Sequence, residues 1–322
     1  MNYKLLPAAI AAASVMASSA YAGDITVYGK VNVSLNTVDY ETEIDDQWEL
    51  SSNASRVGVK GSIAINDNLK AIYKAEYQIS VDGDDDEFSQ RNIYGGFQGN
   101  WGTLLAGKHD TPTKMAQGKV DRFNDLDNGD IKNIFAGENR VNNIIMYKTP
   151  NMNGFSVTAA VIPDEGSNGD DGVADGTSIA LSYKNETFSV ALAHDNDVVN
   201  DDDERTDFTR LVAEIKVGDG KIGALIQDGE SIDNNDDDIE QDGYLISGEY
   251  PVGSYVFKAQ YGTSDTEEPD GDREATQIAL GVDYKLNKSS KLFGYYSNIE
   301  YDKAGAAAED DNIVGIGYEI KF

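Results

Sequence analysis

Residues 311–322 read DNIVGIGYEIKF and hold the pattern that decides the fold. Successive side chains of an extended strand point to opposite sides, so this segment has two different faces. One face is wholly apolar or aromatic and consists of Val314, Ile316, Tyr318, Ile320 and Phe322. The other face mixes two glycines and Ile313 with Glu319 and Lys321. The apolar face predicts burial against a protein core or against lipid, and the rest of the sequence decides between the two.

The first residues have the features of a cleaved export signal. Lys4 precedes an apolar run at 5–17, and residues 20–22, Ala-Tyr-Ala, have the small-x-small form of a cleavage site. A membrane anchor is the alternative, but the run is shorter than the roughly 20 residues that a spanning helix needs. We therefore expect residues 1–22 to be a signal peptide and residues 23–322 to form a single exported domain.

Composition excludes several classes of protein. The formal net charge is −31, which argues against binding nucleic acid, whose phosphates attract the opposite charge. The chain has no cysteine, so neither a disulfide framework nor a thiolate metal site is available. Its two histidines, His109 and His194, limit acid–base and metal chemistry. We expect no cofactor and no metal.

Alternating segments recur along the whole chain and are joined by two kinds of connection. One kind is a turn of a few residues, as at 66–68, 218–220 and 287–289. The other is a long loop crowded with acids, as at 82–87, 201–204 and 233–240. Short turns on one side and long loops on the other are typical of outer-membrane barrels, and we count about 16 strands. The sequence therefore predicts an all-β fold, a 16-stranded antiparallel transmembrane β-barrel.

A soluble β-sandwich is the alternative fold. Its strands average roughly 5–6 residues, whereas the alternating segments here are longer. Tyrosine is abundant, with 18 residues, and several tyrosines end a predicted strand, as at Tyr147, Tyr183 and Tyr284. Aromatic residues at both rims of the lipid-facing band are typical of membrane barrels. These features favour lipid outside and water inside.

One long connection, the third loop, differs from the others. It is predicted at His109–Glu138 and is less acidic per residue. Its apolar residues are Met115, Val120, Phe123, Leu126, Ile131, Ile134 and Phe135. A long loop with this content is expected to pack against another part of the protein rather than lie in solvent. We predict that the third loop folds into the lumen and narrows the pore.

The chain resembles the general diffusion porins of Gram-negative outer membranes, which are trimeric and 16-stranded. The matching stretches are TVYGKVNVS (26–34), SRVGVKG (55–61), RNIYGGFQG (91–99), GTLLAGKHDTP (102–112), RVNNIIMYKTPNMNGFSV (140–157) and GIGYEIKF (315–322). Their order and spacing are more specific than any one of them, and they cover essentially the whole mature chain. The resemblance implies a homotrimer in the outer membrane, in contact with lipid and lipopolysaccharide.

The resemblance also implies a constriction formed by opposed charges. Its basic side, here called the basic ladder, comprises Lys30, Arg56, Arg91 and Arg140. The alternation independently places Lys30, Arg56 and Arg140 on a polar face, whereas Arg91 shares the phase of two apolar residues.

The acidic side is expected on the third loop. Its candidates are Asp121, Asp125, Asp127 and Asp130, with Asp110 and Glu138 less favoured. The Pro-Glu-Phe-Gly-Gly element of enteric family members is absent, so the sequence does not single out one acid.

The predicted function is a porin for passive diffusion of ions and small hydrophilic solutes. With a net charge of −31, a cation preference is expected at low salt. A substrate-specific channel and a structural or adhesive barrel are the alternatives. Calcium binding by the acidic runs is not favoured, because DGDDDE at 82–87 lacks the Gly and Glu positions of an EF-hand loop. Neither histidine accompanies a serine motif, so we expect no catalytic residue and no enzyme.

Overall fold

The computed structural model describes residues 23–40, 47–83, 88–163, 172–200, 204–232, 238–269 and 271–322. The predicted signal peptide and the acidic runs at 201–203 and 233–237 lie outside these ranges. The strand segments are β1 (Asp24–Tyr40), β2 (Gln47–Ser52), β3 (Arg56–Asn66), β4 (Leu69–Gln78), β5 (Ser89–Gly99), β6 (Gly102–Asp110), β7 (Arg140–Lys148), β8 (Phe155–Ile162), β9 (Gly176–Lys184), β10 (Phe188–Val199), β11 (Arg205–Val217), β12 (Gly220–Ile232), β13 (Asp238–Val252), β14 (Tyr255–Glu267), β15 (Arg273–Lys285), β16 (Ser290–Lys303) and β17 (Glu309–Lys321).

Across the described segments, helical structure occurs only in the connection between β6 and β7. It comprises α1 (Pro112–Ala116) and two 3₁₀ helices, Asp127–Gly129 and Ile131–Asn133. Within the described ranges, no helix has the length and apolar character needed to cross a membrane. Since β6 extends to Asp110 and β7 begins at Arg140, the third loop comprises residues 111–139, slightly shifted from the predicted bounds.

The strands close into a barrel. Neighbours in sequence pair antiparallel from β3 to β17, and β17 pairs with β1 in a register that includes Lys30 opposite Lys321. Segments β2 and β3 both pair with β1, at Val38–Gln47 and Lys30–Arg56, so they are two halves of one barrel strand. The seventeen segments therefore make 16 barrel strands, and the predicted fold is confirmed.

The second barrel strand is interrupted at residues 53–55. Ala54 has φ of 47°, which breaks the extended conformation. The flanking polar side chains bond to β1: Asn53 donates from Nδ2 to Ser34 Oγ at 2.9 Å, and Ser55 Oγ accepts from the Asn32 amide at 2.9 Å. These side-chain hydrogen bonds take the place of backbone ladder bonds where the Asn53 and Ser55 side chains point into the barrel interior.

The two ends of the barrel differ. Connections such as β11–β12 are tight: Val217 pairs with Gly220, and Gly218 takes φ of 61°, a value that favours glycine. We call this the short-turn end and the opposite one the long-loop end. The chain closes the barrel near the short turns, because Phe322 exchanges backbone hydrogen bonds with Gly29 at 2.9 and 3.1 Å.

Alternation along each strand separates the two faces of the wall. On β11, Leu211 is 44% exposed while its neighbour Arg210 is completely buried. Exposed Ile, Leu, Val and aromatic side chains cover the outer face. Outward aromatic rings meet near the short turns, where the tilted rings of Phe155, Tyr183 and Phe188 pack with centroid distances of 4.6 and 5.4 Å. Polar residues of the same strands, such as Arg210 and Gln227, face the interior, so the barrel presents an apolar band outward.

Candidate functional site

The third loop lies inside the barrel. It starts with α1, whose N-cap Thr111 accepts a hydrogen bond from the Lys114 amide at 3.2 Å, and α1 packs on β8–β11. Six of its apolar side chains are buried: Val120, Phe123, Leu126, Ile131, Ile134 and Phe135. They pack on inward residues of the wall, Val212, Leu225 and Leu245 in one cluster and Phe293, Tyr295 and Ile313 in another. Met115 is the exception at 38% exposed.

A row of glutamines holds the loop backbone against the wall. This glutamine row occupies inward positions on four consecutive strands, β12–β15, and consists of Gln227, Gln241, Gln260 and Gln277. Gln260 accepts from the Arg122 amide at 2.8 Å and donates to the Gly129 carbonyl at 3.1 Å. The primary amide carries both a donor and an acceptor, so one side chain satisfies two groups of a backbone that has no ladder partner.

The other three glutamines also bond to the loop backbone, each as a donor or as an acceptor. Gln277 donates to two loop carbonyls, at 2.7 and 3.0 Å. Gln241 accepts from the Ala136 amide and Gln227 donates to the Ala136 carbonyl, each at 2.9 Å. This row was not predicted from the sequence. The available signal was the recurrence of glutamine at inward positions of successive strands, which only the strand register makes visible.

An ion pair fixes the end of the loop that leads into β7. Arg210, on the inner face of β11, donates from Nη1 to Glu138 Oε1 at 2.6 Å and from Nε to Gln227 Oε1 at 2.8 Å. Glu138, a less favoured candidate for the constriction, is therefore bound to the wall that carries the glutamine row.

The basic ladder runs along the opposite inner wall. Lys30 lies on β1, Arg56 on β3, Arg91 on β5 and Arg140 on β7. Lys30 and Arg56 are direct register partners, although like charges placed opposite one another destabilise a sheet. Arg140 pairs with Asp110 at 2.8 Å, which places that less favoured acid at the end of the ladder.

A β-bulge directs Arg91 inward. Ala75 pairs with Ile93 and Tyr77 with Gln90, so two residues of β5 lie opposite Glu76 alone. The extra residue changes the phase of the strand. Arg91 consequently reaches Glu76 at 3.3 Å, while Ile93 keeps its phase with the apolar outer residues. The bulge explains why simple alternation left Arg91 without a clear face.

Asp125 connects the loop to the ladder. Its Oδ2 lies 2.6 Å from Lys30 Nζ and 3.7 Å from Arg56 Nη2. Its φ of 68° is left-handed, a conformation that aspartate tolerates better than most residues. Burial disfavours the ionised carboxyl, but Lys30 and Arg56 outweigh it, so the pKa of Asp125 is lowered.

Asp121 and Asp130 bind loop backbone instead of the ladder. Asp121 accepts from the Phe123 and Ile131 amides at 2.9 and 3.1 Å. Asp130 accepts from the Asp125 and Lys132 amides at 2.8 and 3.0 Å. Burial raises the pKa of both carboxyls, and their mutual repulsion adds to the rise at Asp121.

Asp127 contacts β1 through an uncharged side chain. Its Oδ2 accepts from Asn36 Nδ2 at 2.8 Å, and burial raises its pKa. Of the four predicted loop acids, Asp125 is the one that the structure brings within ion-pair distance of the ladder. The assignment of the individual acids to a constriction stays a prediction.

A second ionic group lies on the short-turn side of the loop and was missed from sequence. Arg122 bonds Glu214 at 2.7 Å and lies 3.5 Å from Glu249. Lys258 lies 3.2 Å from Asp283 and donates to the Arg122 carbonyl at 3.1 Å. The four wall residues of this group lie at inward positions of β11, β13, β14 and β15, and that shared phase was the signal that the sequence offered.

The lumen beside Asp125 is lined mainly by cations. A cavity there is bordered by Lys30, Arg56, Lys119, Arg122, Lys258, Lys291 and Lys321, and by three acids, Asp121, Asp125 and Glu319. Asp121 and Asp125 are engaged by backbone amides or by Lys30, and Arg122, Lys258 and Lys291 are paired with wall acids just outside the lining. The cavity lining therefore contains more cations than acids, and the neighbouring wall acids balance part of that excess.

The histidines make no catalytic arrangement within the part of the chain that the structure describes. His109 Nδ1 lies 2.8 Å from the Asp110 carbonyl oxygen, and its ring contacts Tyr94. His194 Nδ1 lies 3.0 Å from Thr209 Oγ1 on the outer face. No group of three or more His, Cys, Asp and Glu side chains among the described residues is placed to hold a metal ion.

Known proteins share this architecture. A family model described as Gram-negative porin matches residues 8–317. Outer membrane porin protein 32 of Delftia acidovorans is 28% identical over 315 residues, covering 91% of this chain and 88% of that protein.

Two solved structures have the same fold. The anion-selective porin from Comamonas acidovorans superposes with a TM-score of 0.78 at 24% identity, covering 93% of this chain and all of that one. A trimer form of OmpT from Vibrio cholerae gives 0.69 at 19% identity, covering 94% and 100%. The family match, the inserted third loop and the closed barrel agree, and the chain belongs to the family of Gram-negative outer-membrane porins.

Proposed function

We propose that this porin forms a water-filled channel for passive diffusion of ions and small hydrophilic solutes, and that it is not an enzyme. The observation that carries the proposal is the contact between the inserted loop and the basic ladder, Asp125 to Lys30 at 2.6 Å. Opposed charges across a narrow aqueous gap orient dipolar solutes and set ion preference. A purely structural or adhesive barrel gives no role to a loop so firmly bound inside the lumen.

Ion preference follows from two opposed charge distributions. The net charge of −31 led us to expect cations to be favoured, because loop acids enrich cations at the mouth. The observations at the narrow part do not support that sign, since cations exceed acids beside Asp125. The structurally similar Comamonas protein is named anion-selective. We propose that the passage itself favours anions.

Salt concentration separates the two contributions. At 1 M salt the Debye length is about 3 Å, so only charges lining the path act on a permeating ion. At about 0.01 M it is about 30 Å, and the acidic loops then act on the same ion. The permeability ratio should therefore favour anions at high salt and shift toward cations as the salt is diluted.

We propose a homotrimer embedded in outer-membrane lipid and lipopolysaccharide. The trimer form of the OmpT structure supports the assembly at the level of the shared fold. The outer face supports the lipid environment, because its exposed side chains are aliphatic along the strands and aromatic near the short turns. A slowly migrating oligomer on unheated detergent gels is expected, and a monomer after gentle extraction would contradict the assembly.

Planar-bilayer recordings test the channel. The purified protein should insert in steps of uniform conductance that is linear in voltage at 1 M KCl. Neutral sugars of increasing size added to the bath should reduce the conductance until they no longer enter the pore. A substrate-specific channel would instead show saturable block by one solute. Insertion without conductance in repeated trials would contradict the proposal and favour the adhesive barrel.

A further inference from the structure

The short-turn end of the lumen carries an excess of lysines. Six of them lie within two residues of a short turn and share the inward phase of their strands: Lys148, Lys184, Lys216, Lys221, Lys285 and Lys291. We call them the short-turn lysines. Their phase follows from buried neighbours two or four residues away, such as Met146 beside Lys148 and Val212 beside Lys216.

Carboxylates at this end are fewer, and the inward ones are already engaged. Glu214 and Glu249 share Arg122 and Lys221, while Asp283 lies 2.9 Å from Lys291. The turns add Asp67, Glu186 and Asp219, together with Lys288. Among the residues that the structure describes, no carboxylate forms an ion pair with Lys148, Lys184, Lys216 or Lys285, so their charges act on the lumen.

The long-loop end has the opposite sign. Its connections include DGDDDE at 82–87, DDDE at 201–204 and DNNDDDIE at 233–240. The described strand ends next to these connections add exposed acids at the rim, among them Asp228, Asp242 and Asp265, which share the outward phase of Ile226, Tyr244 and Tyr261. Since the whole chain carries −31 while the short-turn end is basic, the negative charge is concentrated at the long-loop end.

We propose that this porin rectifies ionic current at low salt and passes more current when the long-loop side is positive. The inference rests on the proposed function, because it requires an open pore. Fixed acids around the long-loop mouth enrich mobile cations there, and the short-turn lysines enrich anions at the opposite end of the lumen. A positive potential on the long-loop side drives both populations toward the third loop, where they accumulate and raise the conductance. The reverse potential depletes both populations there and lowers it.

Current–voltage curves of single trimers test the proposal. At about 0.01 M KCl, where the Debye length is about 30 Å, the ratio of conductances at opposite polarities should depart clearly from one. At about 1 M KCl the ratio should return to one, because a Debye length of about 3 Å screens the fixed charges from the permeating ions. Symmetric stepwise currents at low salt would overturn the rectification and leave the channel function intact. Insertion without current would overturn both.

Orientation is assigned with a unique thiol. The chain has no cysteine, so Ser289→Cys in the turn between β15 and β16 provides one reactive group at the short-turn end. An impermeant charged thiol reagent changes the conductance when it is added to that side. Larger current with the short-turn side positive would contradict the proposed sign.

Two matched variants locate the origin of the effect. The triple substitution Lys184→Gln, Lys216→Gln and Lys285→Gln removes three short-turn cations and should bring the low-salt ratio toward one. Arg205→Gln, Arg273→Gln and Lys303→Gln change the net charge equally at the long-loop end and should increase the ratio. The same response in both variants would overturn the assignment to charge separation.

One-sided acidification gives a second measurement on the unmodified protein. Carboxyls with ordinary pKa values of about 4 lose their charge in mild acid, whereas lysines with values of about 10 keep theirs. Acid on the long-loop side should abolish the rectification, and acid on the short-turn side should leave it in place. Loss of rectification from the short-turn side alone would contradict the proposal.

Discussion

At the scale of single residues, one carboxylate of the third loop differs from its neighbours because it contacts the basic ladder. Asp125 reaches the basic ladder, whereas Asp121 and Asp130 are turned toward loop amides. All three belong to a run of aspartates with no local feature that ranks them. Their roles differ because the loop places only Asp125 beside Lys30 and Arg56.

Removing the charge of Asp125 should strengthen anion preference. Asp125→Asn keeps the size of the side chain but leaves Lys30 and Arg56 without their carboxylate, so the local potential becomes more positive. The reversal potential in a KCl gradient should move toward the chloride equilibrium value. Asp127→Asn is the matched control, since Asp127 bonds neutral Asn36, and it should move the potential less. Equal shifts would remove Asp125 from the constriction.

The pH dependence of that variant tests the charge state. The pKa of Asp125 is lowered from an ordinary 3.8, so its contribution to loop placement is present above 3.8 and is lost as the pH falls through the lower folded value. Wild type and Asp125→Asn should differ in reversal potential at neutral pH and converge once the pH is below that value. A difference that persists in strong acid would show that charge is not the cause.

Asp121 and Asp130 should have the opposite pH dependence. Their pKa values are raised, so their contribution to the seated loop is greatest below 3.8 and is lost as the pH rises through the raised values. The four backbone hydrogen bonds that they accept oppose this loss at neutral pH.

At the scale of elements, the third loop is a folded segment bound to the wall. Its apolar side chains pack in two clusters, and its backbone amides and carbonyls form hydrogen bonds with the glutamine row. Backbone amides and carbonyls buried without partners are costly, and the glutamines supply the partners that a β-ladder supplies elsewhere. The loop therefore keeps a defined position inside a wet lumen.

Disrupting the glutamine row should loosen the loop. Gln260→Leu leaves the Arg122 amide and the Gly129 carbonyl without partners, at a cost of about 1–3 kcal/mol for each buried group. We expect noisier single-channel current and a larger sugar size cut-off, with an unchanged gel-stable trimer.

The control for this substitution lies on the opposite wall. Gln98, on β5, donates to Thr103 at 3.0 Å, so Gln98→Leu removes an inner-wall bond that does not involve the loop. That variant should keep the wild-type noise and cut-off. If Gln260→Leu behaved in the same way, the glutamine row would not position the loop.

At the scale of the whole molecule, closure joins the two ends of the chain. Phe322 pairs with Gly29 through backbone hydrogen bonds, and its ring covers the glycine. A Cβ at position 29 would lie 2.3 Å from the Phe322 ring and 2.9 Å from the Arg56 carbonyl. Glycine is thus needed where the last strand meets the first.

A methyl group at this junction should weaken the barrel. Gly29→Ala forces the Phe322 ring aside at an overpacking cost of about 1–3 kcal/mol. The temperature at which the folded protein changes its mobility on gels should fall. Gly95→Ala on β5 is the control, because nothing lies within 4 Å of a Cβ there, and its transition should stay unchanged. Equal stability of the two variants would show that closure tolerates the added atom.

The sequence by itself determined the barrel and the insertion of the third loop. Period-two alternation, turn length and the apolar content of one loop are local features that can be read along the chain, as in residues 311–322. The same alternation placed Lys30, Arg56 and Arg140 on the polar face.

Only the tertiary structure decided which loop acid meets the ladder, which face Arg91 takes and what anchors the loop. These outcomes depend on register between segments far apart in sequence. The bulge opposite Glu76 changes the phase of β5, and a row formed by four strands contacts a loop that precedes them all. A sequence pattern with a period of two residues shows which face a side chain takes but not which distant residue it contacts. Those contacts form only when the barrel closes and fixes the register of the strands.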